Sequence, residues 1–196
     1  MMSVGADLPP TFTTRTALRH GLHPRDLYRL RDLGEVLELS RGVFRRTDAP
    51  PASLPDLLAV AHRVPHSIAC CVSALVVHDL TDEIPTAVQV AVSRAQHVPR
   101  IQYPPTDVFR FAAATFELGL SSIEAAPGEQ VRVYTAERTV VDIMRFRRRF
   151  GEPMAFAALR RYLRRGRARP GEVLTLARAL GVHGPVRAAI DVMRAE

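Results

Sequence analysis

Residues 13–46 read TTRTALRHGLHPRDLYRLRDLGEVLELSRGVFRR, a run of short helical and β-prone segments punctuated by Gly and Pro. Thr13 or Thr14 can cap a short helix through His20, with Ala17 and Leu18 facing inward, because a Thr hydroxyl satisfies an orphan backbone N–H of the first turn. Gly21 stops that helix. His23-Pro24 opens a second one, since the fixed φ of Pro suits the first helical position. Leu27, Leu30 and Leu33 recur at helical spacing as its buried stripe, and Gly34 ends it. Val36–Leu39 and Val43–Arg46 are two β-prone runs around the turn Ser40-Arg41-Gly42, which reads as a hairpin. Helix, Gly turn, helix and two-stranded wing is the order of a winged helix-turn-helix.

Outward from that module, residues 1–12 read as a flexible arm. The Pro-rich break Asp48-Ala49-Pro50-Pro51 reads as a boundary, so residues 13–50 form the module and 51–196 a second domain. Ser53 is an N-cap candidate for a helix from Leu54 to Arg63, the segment from which a supporting helix for the winged module would come. Ser67–Asp79 should be a largely buried helix. Strands are expected at Thr86–Val92, Val108–Phe111 and Gln130–Thr135, and helices at Ala136–Phe150, Glu152–Arg165, Pro170–Leu180 and Pro185–Arg194. The fold class is therefore α+β: an N-terminal winged helix-turn-helix followed by a mixed α/β domain with a helical C-terminal part.

The chain has 196 residues and a net charge of +7, from 27 basic residues against 20 acidic ones. Every basic residue is Arg, whose guanidinium fork meets phosphates and carboxylates bidentately. No apolar run reaches the roughly 18 residues that suggest a membrane span, so no membrane partner is expected. No signal peptide is visible at the N-terminus. Cys70 and Cys71 are adjacent, which suits neither a disulfide nor a zinc site and fits a cytoplasmic protein.

With the Leu stripe inward, Arg25, Tyr28 and Arg29 point outward from the second helix, where Arg can bond guanine edges and Tyr a phosphate. Arg41 at the hairpin turn, and Arg45 and Arg46 beyond it, would grip phosphates. Thr14 would offer its hydroxyl and amide to another. These seven residues are the expected DNA contacts. Residues 1–50 hold eight Arg and six acidic residues, so the module is only weakly basic. From Arg138 to Arg169, by contrast, there are eleven Arg and two acidic residues. Arg145, Arg148 and Arg149 share helical spacing, as do Arg160, Arg161, Arg164 and Arg165, and these seven are the expected contacts for an anionic partner.

No catalytic constellation stands out. His62 and His66 are four apart, but Pro65 ends their helix and no further ligand adjoins them. There is no Walker loop, nucleophile elbow or kinase signature. Ser73 reads as a packing serine, Asp142 as the partner of Arg138 or Arg145, and Asp79, Asp82 and Glu83 as a solvated loop. Neither a metal nor a cofactor is expected, nor an enzymatic activity.

Three stretches together resemble the AbiEi family, the antitoxin half of bacterial AbiE-type toxin–antitoxin pairs. They are Thr13 through Phe44; Ser73-Ala74-Leu75-Val76-Val77-His78-Asp79-Leu80, where the family commonly has Gly at the position of Asp79; and Val131 through Asp142, followed by helices ending in Leu176–Val182. The resemblance implies a winged helix that binds inverted repeats in its own promoter and represses the operon. It also implies neutralisation of a cognate nucleotidyltransferase-like toxin, by occlusion, modification or substrate competition. The other reading is a stand-alone transcriptional regulator whose C-terminal domain senses a ligand or dimerises.

Overall fold

The computed structural model describes residues 8–195. The chain divides into two units. The first comprises Met1–His66, His97–Thr106 and Ile123–Val131, and the second Ser67–Gln96, Asp107–Ser122 and Arg132–Glu196. This division differs from the expected cut at residue 50, because chain segments from beyond residue 96 pack with the N-terminal module.

The first unit runs β1 (Thr11–Thr13), α1 (Thr14–Arg19), α2 (Pro24–Asp32), β2 (Val36–Ser40), β3 (Val43–Arg46) and α3 (Pro55–Arg63). Its strands order as β1-β3-β2, all antiparallel, with Phe12 opposite Phe44 and Leu37 opposite Arg45. This is winged-helix topology. Local chemistry follows the sequence closely. The Thr13 hydroxyl accepts from the Thr16 amide at 3.2 Å, and Pro24 opens α2 behind the N-cap His23. Gly42 holds φ +75° in the wing turn, a left-handed conformation that a Cβ would strain. Leu8, Phe12, Ala17, Leu27, Leu30, Val36 and Phe44 form the core, with the Phe12 and Phe44 rings stacked at 6.1 Å. α3 packs on β2 and β3 and supplies the supporting helix.

Several expectations need correction here. The part of the expected arm at Met1–Asp7 lies outside the described residues, but Leu8 is buried and Thr11–Thr13 is a strand paired with β3. Leu33 is 63% exposed, because six residues at 3.6 per turn carry it about 120° round from Leu27. Leu18 faces solvent as well. Ser53 does not cap α3; Leu54 stands there, and the Ser53 hydroxyl donates instead to the Ala125 carbonyl at 3.0 Å.

Further along the chain come β4 (Ile68–Ala69), α4 (Cys71–Val77), β5 (Val88–Ser93), β6 (Thr106–Phe111), α5 (Ala113–Phe116), β7 (Leu120–Ala126) and β8 (Glu129–Tyr134), which belong to the second unit except for Thr106 and Ile123–Val131. The helices α6 (Ala136–Arg145), α7 (Arg147–Phe150), α8 (Glu152–Leu163), α9 (Pro170–Ala179) and α10 (His183–Ala195) follow. The sheet order is β6-β5-β4-β8-β7, with β4 antiparallel to β5 and parallel to β8. α6 is the central helix and packs against α4, α8, α9 and α10. Thr135 caps it by accepting from the Arg138 amide at 3.2 Å.

The helix expected over 67–79 is a short strand followed by α4, and the helix expected over 136–150 breaks at Phe146. Ser73 is a packing residue, its hydroxyl accepting from the Gln89 amide at 2.8 Å. Cys70 and Cys71 are buried free thiols, and burial pushes Cys70 upward from its ordinary pKa. Among the described residues no helix is long and apolar enough to cross a membrane.

Candidate nucleic-acid interface

The outward face of α2 follows from its inward one. With Leu27 and Leu30 buried, Arg25, Tyr28 and Arg29 stand exposed. The Tyr28 ring lies edge-on to Phe44 at 6.3 Å and under the Arg31 guanidinium at 5.0 Å. Arg31, unremarked in the sequence, bonds Asp32 at 2.9 Å and Glu38 at 3.1 Å. These hydrogen bonds keep its pKa raised. The pairing occupies two of the module's carboxylates and leaves Arg25 and Arg29 on the same face.

At the wing turn Arg41 is exposed, and the Glu38 carboxylate accepts from the Gly42 amide at 3.2 Å. Arg63 of α3 donates to the Arg41 carbonyl at 3.0 Å and to the Arg100 carbonyl at 3.4 Å, which fixes the base of the wing. A cleft of about 480 Å³ lies between the start of α1, the wing turn and the end of α3, lined by Thr13, Thr14, Arg15, Gly42, His62 and Arg63. Arg15 and Arg19 are both exposed on α1. Their i, i+4 spacing, legible in the sequence, puts them on one face of that helix.

Three expected DNA contacts are otherwise engaged. Arg45 is buried: β3 is the central strand, so its side chains are covered on both faces. The guanidinium bonds the Thr11 hydroxyl at 2.6 Å, the Glu129 carboxylate and the Pro50 carbonyl. Arg46 makes a two-pronged pair with Asp48, at 2.8 and 2.6 Å, and donates to the Leu8 carbonyl. The Thr14 amide donates to the Gly42 carbonyl at 3.0 Å, so it is not held open for a phosphate.

In both expected Arg clusters of the second unit some members are engaged within the fold. Arg145 pairs with Asp142 at 3.0 Å and lies over Phe111 and Phe146. Arg149 lies over Phe109 at 4.3 Å. Arg161 bonds Asp79 and Asp82, and Arg165 donates to the His78 and Asp79 carbonyls. Arg148, Arg160 and Arg164 are exposed. Asp79 holds φ +53°, a left-handed conformation, at the position where the resembled family commonly has Gly. Arg138 and Asp142 form a wholly buried pair at 2.9 Å. Among the described residues, no group of three His, Cys, Asp or Glu could hold a metal ion.

The fold is similar to that in the crystal structure of RV2827C protein from Mycobacterium tuberculosis, with a TM-score of 0.54 and 16% identity over 94% of this chain and 77% of that one. At that identity the likeness concerns the fold alone. Among curated proteins there is no match to the chain. The segment that builds the winged helix, residues 6–47, matches the family described as transcriptional regulator, AbiEi antitoxin.

Proposed function

We propose that this chain is a cytoplasmic, non-enzymatic binding protein with two roles. Through the winged helix it binds inverted repeats in its own promoter and represses the operon. Through its remaining surface it neutralises a nucleotidyltransferase-like toxin. The observation that carries the DNA reading is the exposed set Arg25, Tyr28 and Arg29 on α2, with Arg41 at the wing turn, in a winged-helix topology. In this reading Arg25 and Arg29 contact the major groove and Arg41 an adjacent phosphate. The antitoxin reading is supported by the family match at residues 6–47.

The test is binding of the full chain to labelled DNA from upstream of its own gene, against a shuffled duplex, over a salt series. Preference for the upstream DNA, with log K falling by about 0.9 per decade of salt for each neutralised phosphate, supports the reading. Equal binding to both duplexes refutes operator recognition. Growth rescue on co-expression with the neighbouring gene tests the second role. A harmless neighbour refutes it and leaves a stand-alone regulator.

A further inference from the structure

The cleft of about 480 Å³ between the start of α1, the wing turn and the end of α3 is lined by two cations, Arg15 and Arg63, and among the described residues no Asp or Glu lines it. We propose that this cleft holds a phosphodiester of the DNA backbone, with Arg15 and Arg63 as its ligands. Which polymer enters rests on the DNA-binding reading; the cleft itself supplies the chemistry.

The cleft follows from a strand pairing. Thr13 at the end of β1 lies opposite Val43 at the start of β3, so α1 begins against the wing turn. The Thr14 amide closes that seam on the Gly42 carbonyl at 3.0 Å and is therefore spent. From α3, the Arg63 guanidinium reaches across to the Arg41 and Arg100 carbonyls at 3.0 and 3.4 Å. Both acceptors are neutral, and Arg63 Nε is buried with no acceptor at all. The charge of Arg63 is thus uncompensated, in a place where water screens it less than at the open surface. Arg15 is exposed, and Arg19 stands one turn, about 6 Å, further along the same face of α1. Arg19 donates to the Thr16 hydroxyl at 3.3 Å, and neither Arg15 nor Arg19 meets a carboxylate among the described residues. Two carboxylates come close. Glu38 accepts from the Gly42 amide at 3.2 Å, and Glu129 acts on His62, but each is neutralised by its own partner, Arg31 and Arg45. His62 also lines the cleft, and burial holds its pKa down, so it stands uncharged at neutral pH.

A phosphate is the anion these groups fit, because a guanidinium offers it parallel, charge-assisted donors. A protein partner would anchor large side chains in an apolar pocket. Here the apolar lining is Val43, itself buried, and Pro65. DNA interfaces are polar and strongly positive. A free phosphate would leave most of the cleft empty, whereas a phosphodiester brings its two sugars with it. The wing turn that forms one wall also carries Arg41, which the DNA reading lays on a phosphate, so one backbone meets Arg41 and the cleft together.

The test measures binding of the full chain to the upstream duplex and to a shuffled duplex over a chloride series, with circular dichroism and thermal melts as controls for folding. Arg15→Gln should lower the slope of log K against log salt by about 0.9, which is about eightfold in affinity at about 0.1 M salt, on both duplexes alike. Arg63→Gln should do the same. Arg63→Lys, which keeps the charge but not the fork that holds two carbonyls, should keep the slope. Arg167→Gln removes an exposed charge from the second unit and should leave the slope unchanged. An unmoved slope in Arg15→Gln, an equal loss in Arg63→Lys and Arg63→Gln, or an equal loss in Arg167→Gln overturns the cleft, while preference for the upstream duplex still upholds operator recognition. Equal binding of both duplexes, with the slope still lowered by Arg15→Gln and Arg63→Gln, sinks operator recognition and upholds the cleft as a backbone site. No binding to either duplex sinks both. Adenosine monophosphate reads the small-anion source: saturable binding that Arg15→Gln abolishes, with the duplex slope unmoved, overturns the backbone assignment.

Discussion

Replacing Asp142 by Asn removes one negative charge from the centre of α6 and changes almost no volume. Both Arg138 and Asp142 side chains are fully buried, with Arg138 Nε 2.9 Å from the carboxylate. Removing one partner of a buried ion pair costs about 3–5 kcal/mol, because the other charge is left uncompensated. Arg138 retains the Thr115 carbonyl at 2.9 Å, the Leu118 carbonyl and the face of Tyr134 at 4.2 Å. A desolvated cation over a ring recovers up to about 2 kcal/mol, but that contact exists with or without Asp142 and does not offset the loss. The expected cost is therefore near the lower bound, about 3 kcal/mol, since neutral acceptors still surround the guanidinium. For a chain of this size each kcal/mol lowers the melting temperature by about 2–4 °C, so Asp142→Asn should melt about 6–12 °C lower. Arg145→Met should cost clearly less, because Arg145 is partly exposed and Arg138 still faces the carboxylate. The double variant Arg138→Met with Asp142→Leu should recover most of the loss. Thermal melts followed by circular dichroism, with urea titration alongside, read all three. A shift under about 2 °C for Asp142→Asn would refute the claim that this pair anchors the central helix.

Acidification should destabilise the fold from about pH 6.5 downward. Burial holds both His62 and His78 below the ordinary histidine pKa, so the unfolded chain takes up protons that the folded chain refuses. His78→Gln, which keeps a donor for the Tyr134 carbonyl that Nε2 reaches at 2.6 Å, should flatten a melting-temperature series between about pH 7 and 5. Gly119→Ala should be strongly destabilising, because the added Cβ would lie 2.7 Å from Arg138 Cβ at a φ of +73°; a melting temperature within a degree or two of the unaltered chain would contradict this. Arg29→Ala should weaken operator binding and reduce the salt slope or the sequence preference, whereas Arg45→Ala should lower stability with little change in slope. Fluorescence anisotropy at several salt concentrations, together with melts, separates these two effects.

The winged helix was legible because its punctuation is local. Thr13, Gly21, Pro24, Gly34 and Gly42 each act within a few residues, and all fall at the ends or turns expected of them. Strand β1 was missed because its three residues become a strand only by pairing with β3, thirty or more positions away. Strand β4 lies inside the apolar run Ile68–Val77, where periodicity cannot separate a short buried strand from a helix. At the candidate interface, α2 was readable because its burial is set by its own Leu spacing. Arg45 was not, since its fate depends on Glu129, 84 positions along the chain. The partners of several C-terminal arginines were hidden for the same reason. The carboxylates and rings that engage them come largely from the 79–82 loop and from β6.

The contact between Arg45 and Glu129 bears on how this protein can be taken apart. A gene fragment ending at residue 50 would encode the whole helix-turn-helix and wing, yet it would lack α3, the Glu129 carboxylate and the Ala125 carbonyl that receives both Leu54 and Ser53. It would thus leave a guanidinium buried at the centre of a three-stranded sheet without its counterion. Recombination that shuffles contiguous gene segments could not transplant this reading head onto another chain, because part of its foundation is written two-thirds of the way along the gene.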